Sequence, residues 1–202
     1  PETISHEASL ARGNTAIDLH WDILRPGRTR VNMVDQLLDD RMLFDSHWGI
    51  SPAATLFLML AHPVFTKYTT TPQATLVRLV DMALLLARQP EAVVETGRLL
   101  QLAGLQTAGW VTAHWLQMLT GSETASELGK ALKPGAMRRL WFKSWLAGDW
   151  SSRLLDQAWL IQLGFTLPAH DSWIDAARAS RNVQHCRKEG PATLEFLKLQ
   201  LG

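Results

Sequence analysis

"TAIDLHWDI", residues 15–23, sets Asp18, His20 and Asp22 at every second position, with Ile17, Leu19, Trp21 and Ile23 between them. A period of two is that of a β-strand, whose successive side chains point to opposite faces. The stretch before it, "ISHEASLAR", is joined to it by Gly13-Asn14, a tight-turn pair. The two runs therefore read as a hairpin. With a two-residue loop, Ser9 opposes Asp18, Glu7 opposes His20 and Ser5 opposes Asp22. One face of the ribbon is then polar: Ser5, Glu7, Ser9, Asp18, His20 and Asp22. The other carries Ile4, His6, Ala8, Leu10, Ile17, Leu19, Trp21 and Ile23.

"RPGR", residues 25–28, breaks the strand, and everything after it reads as helical. Ser51-Pro52 is an N-cap followed by Pro at the first helical position, and it opens a helix that Pro63 ends. Thr71-Pro72 repeats the device, and Pro90 opens a third helix. A fourth runs from about Gln106 to Leu119 and stops at Gly121. "TASE", residues 124–127, has the form of a capping box. Further helices are expected near 135–147, 152–163, 172–180 and 192–201. The expected fold is α+β and mostly helical: an N-terminal antiparallel β-hairpin followed by a helical bundle. Residues 1–30 form the hairpin unit, 31–121 a helical domain and 122–202 a C-terminal helical extension. An isolated hairpin is marginal in water, and both of its edges would be open. The chain thus reads as starting in the middle of a sheet.

The chain has 202 residues, 47% of them apolar, enough for a sizeable core. Residues 1–129 carry nine basic and thirteen acidic side chains; residues 130–202 carry eleven and six. The basic third could meet phosphate or nucleic acid, but its charges are scattered, so a solvated surface is the simpler reading and nucleic acid ranks last. A single cysteine, Cys186, excludes an internal disulfide and fits a reducing compartment. The apolar runs are too short to cross a bilayer, which takes about 20 residues. The expectation is a cytoplasmic protein without a membrane span. Five of the nine Trp lie between Trp141 and Trp173 and read mainly as packing. No Walker loop, dinucleotide-binding glycine pattern, zinc-ligand spacing or Ser-His-Asp signature is present.

Side chains two apart on one strand face stand roughly 6.5–7 Å from each other. Asp18, His20 and Glu7 could therefore converge on one ion, and hard oxygen ligands suit Mg²⁺ or Mn²⁺. A merely solvated sheet face alternates in the same way. "AIDLHWDI" resembles the "hydrophobic-Asp-Leu-His-Trp" strand of the uncharacterised nucleotidyltransferase family, a bacterial branch of the nucleotidyltransferase superfamily. The likeness continues in "SPAATLFLMLAHPVF" with His62, "LVRLVDMALLL" with Asp81, and "LLQLAGLQTAGWVTAHWLQMLTG". It runs from about Ile4 to Gly121.

The resemblance implies metal-dependent transfer of a nucleotidyl group from an NTP to an unknown acceptor. It makes Asp18 the catalytic carboxylate and a metal ligand, with Glu7 and His20 beside it and His62 and Asp81 as accessory residues. In that superfamily two further metal-binding acids sit in a Gly-Ser plus Asp-x-Asp motif, and no Asp-x-Asp occurs here. A partner chain or a missing N-terminal segment would then complete the sheet, or the chain is a degenerate member without activity. The competing reading is a non-enzymatic helical interaction module. Taken as ordinary structure, His62 would hydrogen-bond a free helix-end carbonyl, and Asp81 would pair with Arg78 three residues earlier. His114 would be a core or interface residue, and Cys186 beside His185 would be inert.

Overall fold

The computed structural model describes residues 7–12, 15–20, 22–25, 27–67, 72–154 and 156–188. On the first hairpin it describes the backbone and one side chain, Ile17. The fold is α+β and mostly helical, as expected from the sequence. Strands β1 (Glu7–Arg12) and β2 (Thr15–His20) pair antiparallel, with Arg12 opposite Thr15. That is the register of a two-residue connection.

A second small hairpin was not foreseen where the sequence reads as helical. After helix α1 (Met33–Asp39), strand β3 (Met42–Phe44) pairs with β4 (His47–Gly49). Asp45 takes the left-handed conformation at the turn (φ 47°), which Asp tolerates better than most residues. Runs of three residues are too short to show a period, which is why this hairpin escapes a pattern search.

The rest of the chain wraps around α2 (Pro52–His62). Ser51 caps it, its Oγ accepting from the Ala54 N–H at 3.2 Å, and Pro52 sits where no N–H is needed. Pro63 does not stop the chain from coiling. It has no N–H for the next α-type bond, and the backbone widens into a π-helical turn over Pro63–Lys67. Leu56, Phe57 and Leu60 of α2 are fully buried. Around them pack Met82 and Leu86 of α3 (Pro72–Arg88) and Leu99 and Leu100 of α4 (Ala92–Ala103). Val111 and Leu116 of α5 (Gln106–Thr120) and Leu128 of α6 (Glu123–Leu132) complete the shell. Gly109 lets α5 approach α4: a Cβ there would lie 2.5 Å from a Leu100 methyl.

Two buried threonines fasten this shell to α2. The Thr96 hydroxyl lies 2.7 Å from the Ala92 carbonyl of its own helix and 3.1 Å from the Ala53 carbonyl of α2, sharing its one proton between them, and Thr112 donates to the Leu60 carbonyl at 2.7 Å.

The "TASE" capping box does not form: α6 starts two residues earlier than the sequence implied, and the residue at N3 is Ala125. Ser122, not Thr124, is the cap, accepting from the Ala125 N–H at 3.2 Å. Beyond α7 (Ala136–Ala147) the single helix expected over 152–163 is broken. It becomes α8 (Trp150–Arg153), α9 (Ala158–Ile161) and a π-helical turn (Gln162–Thr166). Phe142, Trp145 and Phe165 pack together there, the two phenylalanines edge to face, and Trp145 donates to Ser151 at 2.9 Å. Of the five Trp read as packing only Trp145 is buried; Trp141, Trp150, Trp159 and Trp173 are exposed. The last described helix, α10 (Trp173–Lys188), outruns the expected 172–180. The helix expected at 192–201 lies outside the described residues.

Thr112→Val keeps shape and volume but leaves the Leu60 carbonyl without its donor. It should lower unfolding free energy by about 1–2 kcal/mol in a urea titration, with an unchanged m-value. Val94→Thr, on the exposed face of α4, should change it by less than about 0.5 kcal/mol.

Candidate functional site

The hairpin register matches the one read from the sequence: Glu7 opposes His20, Ala8 opposes Leu19, and Ser9 opposes Asp18. Strand alternation puts Glu7, Ser9, Asp18 and His20 on one face of the ribbon. Their side chains lie outside what the structure describes, as does Ser5. Asp22 does not extend this face. The strand ends at His20, and Asp22 folds its carboxylate onto the Ile23 N–H at 2.7 Å. On the opposite, apolar face, Ile17 is 61% exposed, so at that position the hairpin is not covered by the helices.

His62, at the end of α2, meets Arg78 of α3, with Nδ1 and the guanidinium Nη1 3.1 Å apart. Arginine can only donate, so Nδ1 is the acceptor here and the ring proton sits on Nε2. Arg78 thus turns to His62 instead of the expected Asp81. Asp81 is exposed on α3 and takes part in none of the ion pairs among the described residues. Among the described residues no three His, Cys, Asp or Glu side chains come together as a metal site.

His114 is a packing residue. It stacks on Trp110 with ring centres 4.9 Å apart, and burial, then the Lys143 charge, lower its pKa. The side chains of His185 and Cys186 on α10 lie outside the described residues.

What holds the segment after the hairpin was not visible in the sequence. The Arg30 N–H donates to the Ala103 carbonyl at 3.0 Å, and the Asp171 N–H donates to Gly104 at 3.2 Å. The Asp171 carboxylate accepts from the N–H groups of Gln106 and Thr107 at 3.0 and 2.7 Å, capping α5 from a distant loop. Asp175 takes a forked pair of bonds from Arg30, the shortest 2.8 Å, and a further bond from Ser172 at 2.6 Å. Arg178 stands 3.3 Å away. Ser172 in turn caps α10, accepting from the Asp175 N–H. The pattern Ser-x-x-Asp at 172–175 is a recognisable cap signal; its arginine partner, 145 residues away in sequence, is not.

Gly104 closes α4 in the left-handed conformation (φ 74°). A Cβ there would fall 2.6 Å from Arg30 Nε, so only glycine lets that side chain cross to Asp175.

No family model matches the chain, and no curated protein or solved structure is significantly similar to it.

Burial would raise the Asp175 pKa, but hydrogen bonds from Arg30 and Ser172 and the charges of Arg30 and Arg178 outweigh it, leaving the pKa below the ordinary value. A carboxylate depressed in this way stabilises the fold above its unfolded pKa, about 4, and that contribution is lost as pH falls toward the folded value. Asp175→Asn should therefore cost about 2 kcal/mol at pH 7, a figure kept modest because the Arg30 side chain is 40% exposed. The gap between wild type and variant should narrow by pH 3. Urea titrations at the two pH values measure both quantities.

Proposed function

We propose that this chain is the hairpin and helical part of a cytoplasmic nucleotidyltransferase-like protein. It would serve metal-dependent transfer of a nucleotidyl group from an NTP to an acceptor. The observation that carries the reading is the register that sets Glu7 opposite His20 and Ser9 opposite Asp18, on one ribbon face. Two carboxylates and an imidazole at adjoining positions supply part of an octahedral shell, which fits Mg²⁺ or Mn²⁺ in donor type. The metal, when bound, would neutralise phosphate oxygens and orient the transferring group. On this reading Asp18 holds the metal, and Glu7 and His20 ligate or orient it. The helical body fixes the hairpin's position and shapes the acceptor side. His62 and Arg78 form an accessory pair next to the π-helical turn, a kind of irregularity frequent at functional sites.

Two further carboxylates are expected from strands that extend the β1–β2 ribbon, in another segment or in a partner chain. The exposed Ile17 supports this, because an uncovered apolar side chain on a hairpin is one that another layer can bury. The isolated chain is expected to bind the metal weakly and to transfer nothing.

The second reading, a non-enzymatic interaction module, is favoured by the same exposed face and by the β3–β4 hairpin, where Trp48 is 64% exposed. Edge pairing with a second chain would then be the function. Light scattering at high protein concentration addresses it, and a strictly monomeric chain argues against self-pairing.

Calorimetric titration with Mn²⁺ separates the readings. Asp18→Ala should weaken binding at least about tenfold, whereas a substitution of exposed Asp81 should change it less. Equal binding by wild type and Asp18→Ala would reduce the polar face to a solvated surface.

A further inference from the structure

Arg28 lies in "RPGRTR", residues 25–30, the segment that leaves the hairpin for the helical body. It is 5% exposed, and its Nε and Nη1 are fully buried without a hydrogen-bond partner among the described residues. Its guanidinium carbon sits 4.9 Å from the centre of the Phe65 ring. His170 lies against the same ring, 4.9 Å between centres, and is 0% exposed. The His170 Nδ1 contacts the Leu167 carbonyl at 3.2 Å, so Nδ1 carries the proton and Nε2 is a bare acceptor; Nε2 too is buried, with no partner among the described residues.

Burial, then the neighbouring Arg25 charge, lowers the Arg28 pKa to about 10, which still leaves it cationic at neutral pH. Burial and then the Arg28 charge push His170 down to about 4, so it is neutral there.

An unpaired buried guanidinium is costly, and structures normally set a carboxylate against it. The described carboxylates around the neighbouring Arg30 are committed elsewhere: Asp175 to Arg30, Arg178 and Ser172, and Asp171 to the start of α5. What is left is a set of N–H donors on a cation and one lone pair, both against Phe65.

We propose that Arg28 and His170 form a site for a singly protonated phosphate group. Its oxygens accept from the Arg28 guanidinium, and its P–OH donates to His170 Nε2. Sulfate, which has no proton to give at neutral pH, satisfies only the first half of the site. The buried nitrogens are closed to water, so binding moves the Arg25–Arg30 segment. The phosphate comes either from free orthophosphate or from a nucleotide. The site is independent of the hairpin reading, because phosphate binding here needs no divalent metal.

Thermal unfolding of the full chain in EDTA, at constant ionic strength, tests the site with chloride, sulfate, orthophosphate and ATP. Orthophosphate should raise the midpoint by about 5 °C or more at a hundredfold excess over Kd, with sulfate giving less than half of that. Arg28→Met should abolish the phosphate gain, and Arg28→Lys, which keeps the charge but loses the fork, should reduce it by more than half. In wild type, phosphate should shift amide NMR signals of residues 25–30 and 167–172 first, a readout that does not depend on either variant folding. A larger gain with ATP than with orthophosphate assigns the site to a nucleotide, and an equal or smaller one assigns it to free phosphate. Equal midpoints in all four salts, amide shifts elsewhere, or an undiminished gain in Arg28→Met would overturn the proposal.

Discussion

The first turn of α5 is capped by a carboxylate 64 residues further along the chain. The exposed N–H groups at a helix start must find acceptors, and Leu105, at the cap position itself, has none to offer. Asp171 therefore has to lie beside Gln106 and Thr107. Once it does, its own N–H reaches Gly104, Ser172 starts α10, and Asp175 faces Arg30. Three segments far apart in sequence are thereby closed around the end of α4: residues 28–30, 103–107 and 167–178. Leu24, Leu105 and Ala169 belong to one hydrophobic core for the same reason. The polar contacts fix which loops meet, and the apolar burial behind them supplies most of the stability.

This closure also sets the starting point of the hairpin. β2 leads through Leu24 and Arg28, which are buried, into Arg30, which pairs with Asp175. Ile17, within the ribbon, stays exposed. The proposed completion by a larger sheet rests on a register that puts Glu7, Asp18 and His20 on one face and on the exposed Ile17 on the other. The metal-dependent transfer proposed for it depends on that completion. The Arg28–His170 pair sits at the ribbon's base and has its own chemistry.

The hairpin was legible because strand alternation and a turn pair together fix a register, and the observed pairing of Glu7 with His20 follows from counting alone. Helices opened by Ser51-Pro52 and closed by Gly121 were legible for the same local reasons. Cys186, His185 and the polar side chains of the hairpin fall outside what the structure describes. The β3–β4 hairpin was hidden by its shortness. Pro63 read as a stop because its missing N–H breaks the α-helical ladder, and the π-helical turn shows that the ladder can shift register instead. The Arg30–Asp175 and Arg78–His62 contacts were illegible in principle. Each joins residues on different elements, and nothing in the local pattern of arginines says which acceptor lies within reach. The same limit hid Arg28 in what reads, in sequence, as a strand-breaking turn.

Paramagnetic broadening by Mn²⁺ in an amide NMR spectrum of the wild-type chain tests most directly whether the polar hairpin face is a metal site. On the present account, substoichiometric Mn²⁺ broadens the amides of residues 7–9 and 18–20 before any others, and added Mg²⁺ restores them. Broadening that starts at other residues and leaves the hairpin sharp would contradict it.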